Sequence, residues 1–142
     1  MKKSLTTVVV MLSATLTFAQ KMQEKNIPAS VISTFQKNYP TVKSVKWDKE
    51  GEQYEANFDL QKADNSVLID AQGNIVETEV EIELRELPTS ILEYVKLHYA
   101  GKQAKESAKI TDAKGAVTYE VEIKGMDLIF DSKGKFIKEL KG

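Results

Sequence analysis

Val67-Leu-Ile-Asp-Ala-Gln-Gly-Asn-Ile-Val76 and Leu128-Ile-Phe-Asp-Ser-Lys-Gly-Lys-Phe-Ile137 are two versions of one pattern, 61 residues apart. In each, three apolar residues lead into Asp-x-x-Gly and an apolar pair leads out. Asp closes such a turn through its side chain and Gly takes the left-handed backbone position, so both stretches read as β-hairpins. Upstream, Pro28-Ala-Ser-Val-Ile32 matches Pro88-Thr-Ser-Ile-Leu92 at an offset of 60, and Phe35 and Tyr39 fall on Val95 and Tyr99. Between these blocks Tyr54-Glu-Ala-Asn-Phe58 matches Tyr119-Glu-Val-Glu-Ile123 at an offset of 65. The offset changes only between blocks, where loops absorb differences in length. The chain is therefore expected to hold two copies of a unit of about 60 residues.

The apolar period switches within each copy. Val31, Ile32, Phe35 and Tyr39, like Ile91, Leu92, Val95 and Tyr99, form one stripe of a helix, with Pro28 or Pro88 in its first turn. Three turns of helix are unstable alone in water, so each must pack on something. Beyond the helix the apolar residues alternate: Val45 and Trp47, then Tyr54, Ala56, Phe58 and Leu60, and in the second copy Val117, Tyr119, Val121 and Ile123. A period of two with polar residues between marks half-buried strands. Val76, Thr78, Val80, Ile82 and Leu84 continue the alternation in a long last strand of the first copy. The fold class is α+β: a tandem repeat of a short helix and a three- or four-stranded antiparallel sheet, one sheet face covered and the other wet. Gly125-Met126 stands where the first copy has the longer stretch Leu60 to Ser66.

The first nineteen residues read as an export signal. Lys2 and Lys3 precede an uncharged stretch from Leu5 to Phe18, and Thr17-Phe18-Ala19 offers a signal peptidase its small residues. The stretch falls short of the roughly 20 strongly apolar residues of a membrane span. Cleavage is expected between Ala19 and Gln20, giving a periplasmic or secreted protein with no membrane attachment. The expected organisation is a leader over 1–19, a first unit over 20–84 and a second over 85–142, the two units making one continuous structure.

Charge and composition exclude several functions. The 142 residues hold 20 basic and 21 acidic side chains, one His and no Cys. There is no basic excess of the kind that accompanies nucleic-acid binding, and no disulfide, thiolate metal site or thiol nucleophile. His98 alone cannot build a multi-histidine metal site, and no Gly-x-Ser-x-Gly elbow accompanies it. No catalytic residue, metal ligand or cofactor is assigned, and an enzyme is not expected. The Asp-x-x-Gly turns lack the alternating acids of a calcium loop.

Glu77, Glu79, Glu81 and Glu83 form the most unusual local feature, four carboxylates at strand spacing. They read either as a solvated face that discourages edge aggregation or as a stripe steering a basic partner surface. Residues 48–93 carry a net charge of −10 and the rest of 20–142 a net +7. Trp47 and Tyr54 are candidate aromatic anchors for a protein partner, although their alternation with Val45 and Phe58 favours the core.

Trp47, Tyr54-x-Ala-x-Phe58, Val67-Leu-Ile-Asp70-x-x-Gly73-x-Ile75-x-Glu77 and Glu86-Leu-Pro88 resemble the PepSY-like, β-lactamase-inhibitor-protein-like family of secreted and periplasmic bacterial proteins. The resemblance spans residues 26–139. It implies tandem helix-plus-sheet units whose sheets join in a shallow concave surface, and it brings no catalytic residues with it. The function read from all this is a non-enzymatic exported binding module that presents a sheet face to a protein partner, as an inhibitor or regulator of a periplasmic enzyme. The competing reading is a small-ligand or calcium sensor using the cleft between the units.

Overall fold

The computed structural model describes residues 20–141, so the leader expected over 1–19 lies outside the described residues. Elements run in the order β1 (Gln20–Met22), α1 (Ala29–Asn38), β2 (Lys46–Glu50), β3 (Gln53–Leu60), β4 (Ala63–Asp70), β5 (Ile75–Ile82), α2 (Thr89–His98), β6 (Glu106–Asp112), β7 (Val117–Ile123), β8 (Met126–Asp131) and β9 (Phe136–Lys141). Single 3₁₀ turns at Glu24–Asn26 and Leu84–Glu86 lead into the two helices. The chain divides between Thr78 and Glu79 into two compact units. In the first the strand order is β1 to β5 and in the second β5 to β9, β5 contributing a part to each. The fold is α+β with repeated units, and its sheets hold more strands than the sequence suggests.

Each helix starts immediately after a proline. Pro28 and Pro88 have φ of −55° and −50°, and their carbonyls accept from Val31 N–H and Ile91 N–H at 3.0 Å. Proline is tolerated here because no helical carbonyl awaits its missing N–H. The two long hairpins pair without slippage, Tyr54 with Ile69 and Ala56 with Val67 in one, Tyr119 with Phe130 and Val121 with Leu128 in the other. Alternation then sends Tyr54, Ala56, Phe58, Val67 and Ile69 to α1, whose Val31 and Phe35 close over them. Tyr119, Val121, Ile123, Leu128 and Phe130 do the same beneath Ile91 and Val95 of α2.

The hairpin loops of the two copies have the same length. Strand β3 runs to Leu60 and β4 starts at Ala63, so only Gln61 and Lys62 turn, as Lys124 and Gly125 do between β7 and β8. The apparently longer connection from Leu60 to Ser66 is extra strand. Gln61 and Lys62 hold φ of 53° and 65° without a glycine, the left-handed pair that a two-residue hairpin demands.

Candidate functional site

The Asp-x-x-Gly turns are built from the backbone. Asp70 Oδ1 accepts from Gln72 N–H (3.0 Å) and Asn74 N–H (2.9 Å), and Asp131 Oδ1 from Lys133 N–H and Lys135 N–H, both at 2.9 Å. These donors hold both carboxyls below the usual aspartate range: the Asn74 side chain leads at Asp70 and the Lys135 N–H at Asp131. Asp112 to Gly115 makes a third turn of the same kind, in which Asp112 Oδ1 accepts from Lys114 N–H and Ala116 N–H. Each of the first two turns is pressed against a helix. Ser30 Oγ donates to Ala71 O at 2.7 Å and Thr34 Oγ1 to Gly73 O at 2.6 Å. A Cβ on Gly73 would stand 2.9 Å from Ser30 O, and one on Gly134 would strike Ser90 Oγ.

The sheet faces turned away from the helices carry the carboxylates. In the first unit Asp48 lies opposite Glu55, and Glu55 opposite Leu68. Asn57 Nδ2 donates to Asp48 Oδ2 at 3.2 Å and to Glu55 Oε2 at 3.4 Å. In the second unit Glu106, Glu122 and Asp127 stand in one row across β6, β7 and β8, beside the row Ala108, Glu120 and Ile129. Like charges directly opposite one another are unfavourable. Burial, then the neighbouring Glu122, pushes the Asp127 carboxyl up, and burial with Asp48 does the same to Glu50.

These faces are not simply wet. Glu55 is 3% exposed and Ile129 2%. Asp48, Asn57, Asp64, Glu106 and Glu122 remain half-buried.

The residues singled out in the sequence scatter. Trp47 is buried in the first core, its ring edge-on to Phe35 at 5.4 Å. Tyr54 is half-buried at the margin of that core, with Lys49 Nζ 6.0 Å from its ring centre. Glu77 and Glu81 are half-buried in β5, and Glu79 is only 2% exposed. Glu83 lies beyond the strand. Its N–H donates to Glu86 Oε2 at 2.7 Å, and its carboxylate meets Arg85 Nε at 2.6 Å. The four glutamates thus do not form one open stripe. His98 is exposed and stacks on Tyr94, ring centres 4.1 Å apart.

Among the described residues, no group of three or more His, Cys, Asp or Glu is placed to hold a metal ion. A depression of about 500 Å³ beside α1, lined by Glu24, Lys25, Ile27, Ala29, Ile32, Ser33 and Gln36, is wide open, whereas small-molecule sites bury most of their ligand. No helix among the described residues is long and apolar enough to cross a membrane.

The family model described as "Putative beta-lactamase-inhibitor-like, PepSY-like" matches the chain twice, over residues 16–77 and 62–138. No curated protein matches it. Solved structures share the fold. One from Bacteroides eggerthii, described as a "putative periplasmic" protein, is 17% identical over 80% of this chain and 88% of its own, with a TM-score of 0.73. A DUF2874 family protein from Bacteroides uniformis is 22% identical over the same shares, TM-score 0.72. A BLIP-like protein from Bacteroides fragilis is 21% identical over 80% of this chain and 86% of its own, TM-score 0.66. Matched in both of its copies, the chain belongs to the β-lactamase-inhibitor-like, PepSY-like family.

Proposed function

We propose that the chain is an exported, non-enzymatic binding module, cleaved after Ala19, whose helix-free sheet faces receive a basic surface of a protein partner, an enzyme of the periplasm that it restrains. The observation that carries this is the row Glu106, Glu122 and Asp127. A fold under no functional demand gains nothing from aligning like charges across three strands, whereas a cationic surface laid on them is attracted and steered into register. The family's inhibitor-like description and the periplasmic description of the B. eggerthii structure accord with this. The contact set differs from the stripe read in the sequence. Half-buried Asp48, Asp64, Glu106 and Glu122 can meet a partner, while Trp47 is spent on the core.

The direct test measures calorimetric binding of a lysine-rich peptide to the protein carrying Glu106→Gln and Glu122→Gln. Binding should weaken about tenfold, fall with added salt, and stay unchanged in the control Glu93→Gln on exposed α2. Equal loss in variant and control would reduce the effect to overall charge and remove the face from the proposal. Crosslinking in a periplasmic extract through residue 122 would then identify the partner.

A further inference from the structure

We infer that the β2–β3 hairpin of the first unit closes on a proton: the Glu50 carboxyl keeps its hydrogen and donates it to Gln53 Oε1. This goes beyond the binding reading and does not depend on it. Glu50 ends β2 and Gln53 begins β3, and the two face each other in register across Gly51 and Glu52. Side chains directly opposed in this way stand about 4.5–5.5 Å apart at Cβ, so their ends can meet. Gln53 Oε1 is buried and meets no hydrogen-bond partner among the described residues. An acceptor withdrawn from water is costly to leave unpaired, which points to a donor close by. Glu50 is only 8% exposed. A carboxylate has nothing to donate, whereas the neutral acid carries the O–H that this acceptor lacks.

The charges around the pair favour the same state. Next to Glu50 on this face of β2 is Asp48, and next to Gln53 on β3 is Glu55, opposite Asp48. Burial first, and then the Asp48 carboxylate, push the Glu50 carboxyl above the ordinary glutamate range. The cations of β1 and β2 are placed elsewhere. Lys21 lies opposite Asp48, Lys46 opposite Asn57, and Lys49 points to the other face with its Nζ 6.0 Å from the Tyr54 ring centre. On β4, Asp70 lies opposite Gln53, with its carboxyl taken up by Gln72 N–H and by Asn74. A buried anion in this company is disfavoured against a neutral acid bonded to the orphaned carbonyl. A raised folded value means that the clasp stabilises fully below the ordinary glutamate range and is lost as the pH climbs through the raised one. There the new anion meets Asp48, and Oε1 loses its donor. The β6–β7 turn of the second unit is built the other way: Asp112 Oδ1 accepts from Lys114 N–H and Ala116 N–H, so it needs no proton.

The test is an NMR titration of the isotope-labelled full chain without any partner. The Glu50 carboxyl carbon should titrate above the ordinary glutamate range, and Gln53 Cδ should shift with the same midpoint. Exchange protection of the Glu50, Glu52 and Gln53 amides, corrected for intrinsic rates, should fall about five- to tenfold through that midpoint. In Gln53→Met the midpoint should drop toward the ordinary range, because the acid has lost its acceptor. In Glu50→Gln, which keeps a donor at every pH, the protection should no longer change. A Glu50 carboxyl that titrates in the ordinary range, a Gln53 Cδ indifferent to it, or a midpoint unmoved in Gln53→Met overturns the clasp. Each of these outcomes leaves the binding reading standing, since no partner enters the measurement.

Discussion

The two units solve one packing problem with different residues. In the first, Trp47 on β2 lies opposite Ala56, which lies opposite Val67, and Ile69 completes the floor beneath Phe35. In the second, the Trp47 position is Ser107, opposite Val121, and Phe130 stands where the first unit has Ile69. Bulk given up on the outer strand returns on the central ones, the volume-conserving exchange that cores tolerate best. Ser107 cannot fill the space, so it spends its hydroxyl on Ile82 O at 2.9 Å. The aromatic cluster moves with the bulk. Phe35, Tyr39, Trp47 and Phe58 gather under α1, whereas Tyr94, Phe130 and Phe136 gather beside α2, Tyr94 and Phe136 stacked at 4.9 Å. The turn pressed on the helix does not move. Core composition is thus negotiable between copies, whereas both keep a turn packed on the helix start, even though Tyr94 replaces Thr34 and its bond to Gly73 O in the second.

The exchange breaks most visibly at Trp47. Trp47→Ala should cost about 3–5 kcal/mol in urea unfolding followed by circular dichroism. A loss below about 1 kcal/mol would mean that the tryptophan is not the first unit's keystone. Next come the latches. Gly73 has φ of +88° and a backbone oxygen in the path of any Cβ, while Gly134, at +83°, faces the rotatable end of Ser90. Gly73→Ala should therefore cost more than Gly134→Ala, about 2 kcal/mol or above against about 1–2. Because Trp47 is the chain's single tryptophan, its fluorescence reads the first unit separately; equal costs would contradict the asymmetry of the two latches. Ser107→Ala is smaller, about 1 kcal/mol for one part-buried hydrogen bond.

The smallest effects come from protons, and they run in opposite directions. Tyr99 donates to Glu139 Oε2 at 2.6 Å, and chiefly this bond raises its pKa to about 12 from 10.0. A raised folded value means that its contribution is complete below pH 10 and lost as the pH climbs through 12. Tyr99→Phe should flatten that alkaline loss in a series of thermal melts. Asp70 and Asp131 are lowered instead, so their turns stabilise above the ordinary aspartate range and fail as the pH falls below it. Asp131→Asn should remove part of the acid sensitivity; unchanged acid midpoints would show that the turn carboxyl plays no part in it.

Much of this was legible in the sequence because it is local. Asp-x-x-Gly fixes a turn through atoms a few residues apart, and the i, i+4 stripes and period-two runs fix which side of each element is apolar. Trp47 belongs to the core by the same alternation. Register across strands is not local, and exposure depends on it. Glu79 and Glu83 look alike along the chain, yet one is buried and the other caps a turn after the strand has ended at Ile82. The row Glu106, Glu122 and Asp127 comes from three strands and has no signature in any of them. Strand β1 is three residues long, too short to show a period.

The latch also ties distant parts of the first unit together. Ser30 and Thr34 find their acceptors 41 and 39 residues further on. A helix of 10 residues does not persist alone in water, so α1 depends on strands β2 to β4 beneath it and on the turn at Gly73 beyond them. The β2–β3 and β3–β4 pairings join strands that follow one another directly, whereas the helix-to-turn contact closes a longer loop and costs more chain entropy. For a chain that emerges from its N-terminus onward, the first unit is therefore complete only once roughly half of the chain is available.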